Sequence, residues 1–492
     1  LSPVCVRTIR VKVPNLRVLP CLSLLALLSG CMSAPQPPLD RATPENWLQS
    51  SVPAGSQDAS APALTAANLQ NWWRRWNDPQ LDALVEQALA QNLDLAQALG
   101  RLKQQRLLQG VAESSHKPEV TAGIRTLQDV AAVDSYFHAS IDVAWDLGLF
   151  GARESTQLAA RSELLSAEAQ VRAASVSLVA DVVRRWLDIR MAQVQRQLLA
   201  DRVALDERAL KYADVRLAQH LDGSEAVHQA RLQLTQSRDQ LISIQESQTR
   251  AAHALALLLG RARPDPAWLA PDASARLPQS QAFRLQVLPA DLLRTRPDIQ
   301  TAEANVSRAA AALGLSRSAL YPRFALAGSL LYSYNLTQNH RTTMDHMPLI
   351  GPAIDIPLFD WSRRRSQADG DEAAMDVAVL GYRQAVLESI SDVETALAGL
   401  QSQRARMTAL AQTREQIAAR DAVLDRREQL GLASEFSRVN ERRALLQNQS
   451  EQLVAQGAQA LAYVTLYKAL GGAPLPVAPV ESGEPAQGGA TR

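Results

Sequence analysis

The chain has 492 residues, 51 Lys and Arg against 50 Asp and Glu, a formal net charge of +1 and 47% hydrophobic residues. That balance gives no reason to expect a nucleic-acid partner. Three cysteines, all within the first 31 residues, leave neither disulfide nor thiol ligand for the body of the protein.

The seven histidines (His116, His138, His220, His228, His253, His340 and His346) show no metal-ligand spacing. No phosphate-cradling glycine loop, nucleophile elbow or zinc signature occurs, so the sequence predicts no enzyme, no metal and no soluble cofactor.

In chain order, Arg7, Arg10, Lys12 and Arg17 precede the apolar run VLPCLSLLALL, residues 18–28. Eleven residues are too few to span a bilayer as a helix but fit the core of a secretory signal. The run ends in Leu28-Ser29-Gly30-Cys31 and then the polar MSAPQPPLD. This resembles the bacterial lipobox. The resemblance implies cleavage before Cys31, with diacylglycerol on its sulfur and a further acyl chain on its new amino group. Met32 in the next position, where Asp would retain the product at the inner membrane, favours the outer membrane of a Gram-negative cell. Several acyl chains make a durable anchor.

Beyond an anchored segment over 31–77, the body is duplicated. Asp94 to Pro118 repeats as Asp298 to Pro322 at an offset of 204. Ile141-Asp142-Val143 matches Ile354-Asp355-Ile356 at offset 213, while Asp181/Asp392, Arg216/Arg427 and Gly260/Gly471 share offset 211. The first repeat is placed at 78–287 and the second at 288–473, with a polar tail over 474–492. Each copy predicts a helix (80–114, 297–319), two strands (118–130 and 136–147; 322–335 and 348–358), a very long helix (152–221, 361–430) and a return helix (224–259, 434–470). Proline is absent from 119 to 263 and from 358 to 473, so neither stretch holds its usual helix breaker. Gly370 and Gly381 weaken the early turns of the second long helix.

Val176, Val179, Val183, Leu187, Met191, Val194 and Leu198 advance by threes and fours, close to the period of a straight helix. A seventy-residue helix spans about 105 Å and a 36-residue return helix about 54 Å. The helix before the strands supplies the remainder.

The four strands suit a tilted crossing of an outer membrane. In SYFHASIDVAWDLG one set of alternate residues is apolar, Phe137, Ala139, Ile141, Val143 and Trp145, against His138, Ser140, Asp142 and Ala144, whereas in FALAGSLLYSY the set Phe324, Leu326, Gly328, Leu330, Tyr332 and Tyr334 alternates less cleanly. Trp145, Phe150, Phe359 and Trp361 gather where strand becomes helix, as an interfacial girdle would. Pro357 is read as the end of the fourth strand, and Pro352 interrupts its expected ladder. Four strands leave two edges that lipid cannot satisfy, so copies of the chain must close them.

Three stretches carry a family resemblance: NWWRRWNDPQLDALVEQALAQNLDL, LPADLLRTRPDIQTAEANVSRAAAALGLSRSALYPRFAL, and GPAIDIPLFD with YKALGG. They resemble the TolC-like outer-membrane factor family, in its lipoprotein branch serving multidrug efflux, over about residues 68–473. Trp76 stands where Phe is common, and Asp360-Trp361-Ser362 replaces a Gly-containing turn. The resemblance implies a mainly α fold with membrane β, a homotrimer closing a twelve-stranded barrel and a twelve-helix periplasmic tunnel. It further implies outer-membrane lipid around the barrel, a periplasmic adaptor and an inner-membrane transporter of the resistance–nodulation–division type. The duct itself would be passive.

The resemblance also implies a pinched periplasmic end, for which Asp421, Leu424 and Asp425 are the gate candidates by position. Asp214, Arg216 and Asp222 near the first hairpin tip, with Arg426 and Arg427 near the second, are the candidate inter-helix pairs. Two other readings stay open: the exit duct of a type I protein-secretion system, and a non-conducting periplasmic coiled-coil lipoprotein.

Overall fold

The structure, a computed structural model, describes residues 39, 43–48, 63–64, 66–128, 134–279, 284–285, 289–341, 347–432 and 435–472. The signal run, Cys31 and the polar tail lie outside the described residues. In chain order come β1 (Ala63–Leu64), a 3-10 helix (Ala66–Trp76), α1 (Pro79–Gln91), α2 (Leu93–Ser114), β2 (Glu119–Gln128), β3 (Ser135–Asp146), α3 (Ala152–Ala218) and α4 (Ser224–Leu258). The second copy follows short elements α5 (Pro266–Leu269), β4 (Arg284–Leu285) and α6 (Leu292–Thr295). It consists of α7 (Pro297–Ser318), β5 (Arg323–Asn335), β6 (His340–Arg341), β7 (Met347–Asp355), α8 (Trp361–Gln429) and α9 (Glu435–Ala469). The duplicated order expected from the sequence is present, with two helices of 67 and 69 residues. Gly370 and Gly381 do not interrupt α8, and both look onto open space.

The chain divides into two compact units. One holds residues 111–159 and 309–375, including all four long strands. These form one antiparallel sheet in the order β2-β3-β5-β7, with β6 a two-residue addition to β5. Pro352 does not break the ladder, which runs from Arg323↔Asp355 to Leu331↔Met347. β7 is an outer strand paired on one side within the chain, the position that tolerates a missing donor. The ladder also revises one repeat offset. Just after Pro118 and Pro322, Glu119 lies opposite Ala144 and Arg323 opposite Asp355, so the register equates Asp355 with Ala144, at offset 211, rather than with Asp142 at 213.

The other unit holds residues 37–110, 160–308 and 376 onward. The helix expected over 80–114 is two helices. Asp78 caps the first, accepting from the backbone of Gln80 (3.0 Å) and Leu81 (3.3 Å) with Pro79 in the first turn. Asn92 then leaves helical geometry (φ −67°, ψ 129°). Its Oδ1 accepts from Leu95 N (2.9 Å) to start α2, and its Nδ2 donates to Leu258 O (3.0 Å) at the end of α4. The core gathers here. Trp72 is fully buried, stacks on Tyr467 at 4.5 Å and donates to Gly472 O at 3.0 Å. In α3 the predicted stripe is buried at Val176, Val179, Val183 and Leu187, and Val171, Leu178, Val182, Trp186 and Ile189 are buried too. A helix buried on several faces is walled in by neighbours rather than lying on a surface.

Candidate functional site

Side chains opposite one another across a ladder share a face of the sheet. One face collects Val120 and Val143, Ala122, Ile141 and Leu330, Ala139 and Tyr332, Phe137 and Tyr334, Trp145 and Leu326, and Phe324 and Ile354. The other collects Thr121, Asp142 and Ser329, then Gly123 and Ser140, then Arg125, His138 and Ser333. Asp142 accepts from Ser140 Oγ (2.8 Å) and Ser329 Oγ (2.6 Å), so the polar face carries its own ordered network.

The apolar face is uncovered within the chain: Ile124 is 75% exposed and Ile350 68%. A water-soluble sheet does not leave its apolar face bare. Among the described residues no helix is long and apolar enough to cross a membrane.

The hairpin tips form the second part of the site. α3 ends with Leu221 N donating to Arg216 O (2.9 Å), and α8 ends with Leu432 N donating to Arg427 O (2.8 Å). His220 (φ +54°) and Gly431 (φ +70°) occupy the left-handed position between them, the Schellman closure of a helix end. Arg216 Nε bonds Asp222 Oδ2 at 2.5 Å. The pair expected to bridge helices therefore joins a helix to its own tip loop, because the Schellman turn curls the loop back over Arg216. That hydrogen bond, then the charge of Arg216, lowers the pKa of Asp222.

The other tip candidates do not come together. Asp214, Arg426 and Arg427 are exposed. The inter-helix link at the second tip is made by a residue the sequence reading missed. Arg438 of α9 pairs with Asp425 and with Glu428 (2.5 Å), both on α8. The Glu428 hydrogen bond, with the charges of Asp425, Glu428 and Asp421, raises the pKa of Arg438. Asp421, Leu424 and Asp425 are all half-buried and lie on the α8 face toward this arginine. The signal for Arg438 was a basic residue in the first turn of a helix that follows one ending with Asp425 and Glu428.

The family model described as "Outer membrane efflux protein" matches residues 84–261 and 288–472. The chain belongs to this outer membrane efflux protein family. The two matched segments fall on the two repeats.

This efflux protein is 28% identical to the pyoverdine export outer membrane protein OpmQ of Pseudomonas aeruginosa, over 93% of this chain and 97% of that one. It is 28% identical to nodulation protein T of Rhizobium leguminosarum bv. trifolii, over 77% and 80% respectively. It shares the fold of the MtrE outer membrane channel of Neisseria gonorrhoeae, with a TM-score of 0.75, 23% identity and coverage of 90% and 99%. The protein is thus an outer-membrane efflux channel subunit with a mainly helical body and four long membrane strands. Its sheet carries the alternating apolar and polar sets that the period-two pattern predicted.

Proposed function

We propose that three copies of this chain form the outer-membrane exit duct of a tripartite efflux system. One observation carries the reading. Among the described residues β2 and β7 are each paired on one side only, and the sheet has one apolar and one hydrogen-bonded polar face. Lipid satisfies neither a bare edge nor a polar face, so both must be enclosed by closure with further copies. Eight strands would give a barrel filled by side chains, whereas twelve leave a water-filled lumen.

In this assembly the paired long helices extend the lumen into the periplasm, Cys31 carries the acyl anchor, and an adaptor joins the hairpin tips to a transporter of the resistance–nodulation–division type. The duct binds no substrate tightly. Relatives are named for exporting pyoverdine, for toluene efflux and for cation efflux, which supports a shared conduit for small cargo whose choice lies with the pump. Asp421, Leu424 and Asp425 form the constriction in the closed state, held by Arg438.

The mass of the purified protein–detergent complex tests the assembly. Three chains per particle are expected. A particle of one chain, stable without detergent, would sink the reading. Mass spectrometry of the mature amino terminus tests the anchor, with acylated Cys31 expected.

A further inference from the structure

Hydrogen bonds and ion pairs link the long helices of the helical unit in the order α4–α3–α9–α8. Ser237 of α4 donates to Asp206 of α3 (2.5 Å), Arg443 of α9 donates to the same Asp206 (2.6 Å), and Arg420 of α8 donates to Glu441 of α9 (2.7 Å). Among the described residues no such bond joins α4 to α8. Each of these two helices therefore keeps one edge uncovered within the chain.

The duplication maps those two edges onto an inner seam. At the offset of 211 shared by Asp181/Asp392, Arg216/Arg427 and Gly260/Gly471, α3 corresponds to α8 and α4 to α9. The α3–α9 seam is thus the template for a contact between α8 and α4, which the two do not make with each other here. The template pairs are Asp206 with Arg443 (2.6 Å), Arg202 with Gln447 (2.8 Å) and Ser177 with Lys468 (3.5 Å). Shifted by 211, they become Ile417 with Leu232, Thr413 with Gln236 and Glu388 with Leu257.

The chemistry at these positions is inverted. The charged Asp206, Arg202, Arg443 and Lys468 of the inner seam give way to the uncharged Ile417, Thr413, Leu232 and Leu257 on the open edges. Leu232 is 51% exposed, Leu257 74%, and Leu387 beside Glu388 63%. An edge that ended in water would carry the charges and leave the apolar residues to the inner seam. Apolar side chains bared along one edge mark a surface that another protein covers. Further along, α7 meets α3 through Arg172 and Gln300 (2.7 Å). Shifting that register by 204 and 211 sets Gly100 of α2 opposite position 379, less than a turn from Gly381 of α8. Both glycines look onto open space in the chain, and each weakens its helix. A second helix passing close by gives them a purpose.

We propose that the α4 edge of one copy packs on the α8 edge of a second copy, in the register of the α3–α9 seam, as an uncharged contact. The inference rests on the multi-copy duct proposed above and assigns the surfaces that join its copies. Leu232 of the second copy lies against Ile417, and Leu257 of the second copy lies against Leu387. Each copy offers one edge of each kind, so the contact is head to tail, and a closed ring leaves no edge over. Seams within a chain are then held by ion pairs, and seams between copies by apolar burial.

The test uses the full-length protein in detergent, carrying cysteine pairs and treated with a short bis-maleimide. The L232C/I417C variant should give linked dimers and trimers on denaturing gels, and either single variant none. The L232C/R406C variant moves the second cysteine about 16 Å along the same face of α8 and should link roughly tenfold less. Equal linking by both pairs would overturn the seam and leave the assembly reading standing. So would no linking by L232C/I417C in a particle whose native mass shows three chains. A one-chain particle would overturn both. Leu232→Arg, at an exposed site, should keep the helical circular dichroism of the parent and hold the trimer about tenfold or more weakly. A trimer as stable as the parent's would also overturn the proposal.

Discussion

The two repeats solve one backbone problem with different side chains. At the end of each return helix, a Schellman turn sets a glycine in the left-handed region: Arg261 N donates to Ala256 O (2.8 Å) around Gly260, and Gly472 N to Tyr467 O (2.9 Å) around Gly471. Each glycine presses on a backbone carbonyl just before the helix that leads to the strands. A Cβ on Gly260 would lie 2.9 Å from Gln91 O, and one on Gly471 would collide with Thr295 O. The next residue ties that contact down. In the first copy it is Asn92, which reaches Leu258 O. In the second it is Arg296, which donates to Ala469 O (2.8 Å) and also bonds Asp298 (2.9 Å) and Asp392 (2.9 Å). Burial opposes the charge of Arg296, and its hydrogen bonds to both acids more than offset that, raising its pKa. The counterpart of Asp392 is Asp181, which instead accepts from Ser177 on its own helix. Duplication preserved the backbone contact, and divergence gave the second copy an ionic tie from this turn to its long helix.

Breaking the shared contact should have the largest effect. Gly471→Ala is expected to cost roughly 3 kcal/mol and Gly260→Ala about 2 kcal/mol, from strain at positive φ plus the carbonyl clash. Urea unfolding of the detergent-solubilised protein measures both, and equal, small losses would show that the turns can relax. Removing the divergent ties should cost less. Arg296→Met is expected to lose roughly 2 kcal/mol, reduced from the value for a fully buried pair because Asp392 is half-exposed. Asn92→Ala should lose about 1 kcal/mol, the value of a helix cap. If the order were reversed, the ionic tie would not be what distinguishes the copies.

The tips extend the comparison, since only the second links helix to helix. Arg438→Ala should leave stability unaltered and raise the open fraction in bilayer recordings, whereas Arg216→Ala should leave the open fraction near that of the parent. The smallest effect concerns pH. The hydrogen bond and charge of Arg216 hold the Asp222 carboxyl below the usual aspartate range, so its pairing is complete at neutral pH and lost as pH falls through that lowered pKa. The thermal midpoints of Asp222→Asn and the parent should therefore differ slightly at pH 7 and converge in strong acid.

Much of this was legible in the chain. Period two in SYFHASIDVAWD assigned both faces of β3, and the proline-free stretches located α3 and α8 to within a few residues. Hairpin closure through Arg216 was misplaced because sequence spacing does not reveal that a Schellman turn folds the loop over its own helix. The break at Asn92 was overlooked since neither Gly nor Pro marks it. An asparagine before Leu-Asp-Leu is a helix start, and here it also stops the helix before it. The packing of Trp72 on Tyr467, 395 positions apart, has no local signal, because it depends on the two ends of the body meeting.

The central claim is that the polar face bearing Asp142 lines a conducting hole. Single-channel recording of the purified protein in planar bilayers, parent against Asp142→Arg, tests it most directly. The account predicts discrete conductance steps whose ion preference shifts toward anions in the variant, since symmetry places one charge per subunit on a ring. Silent bilayers, or steps with selectivity unmoved by the reversal, would contradict it.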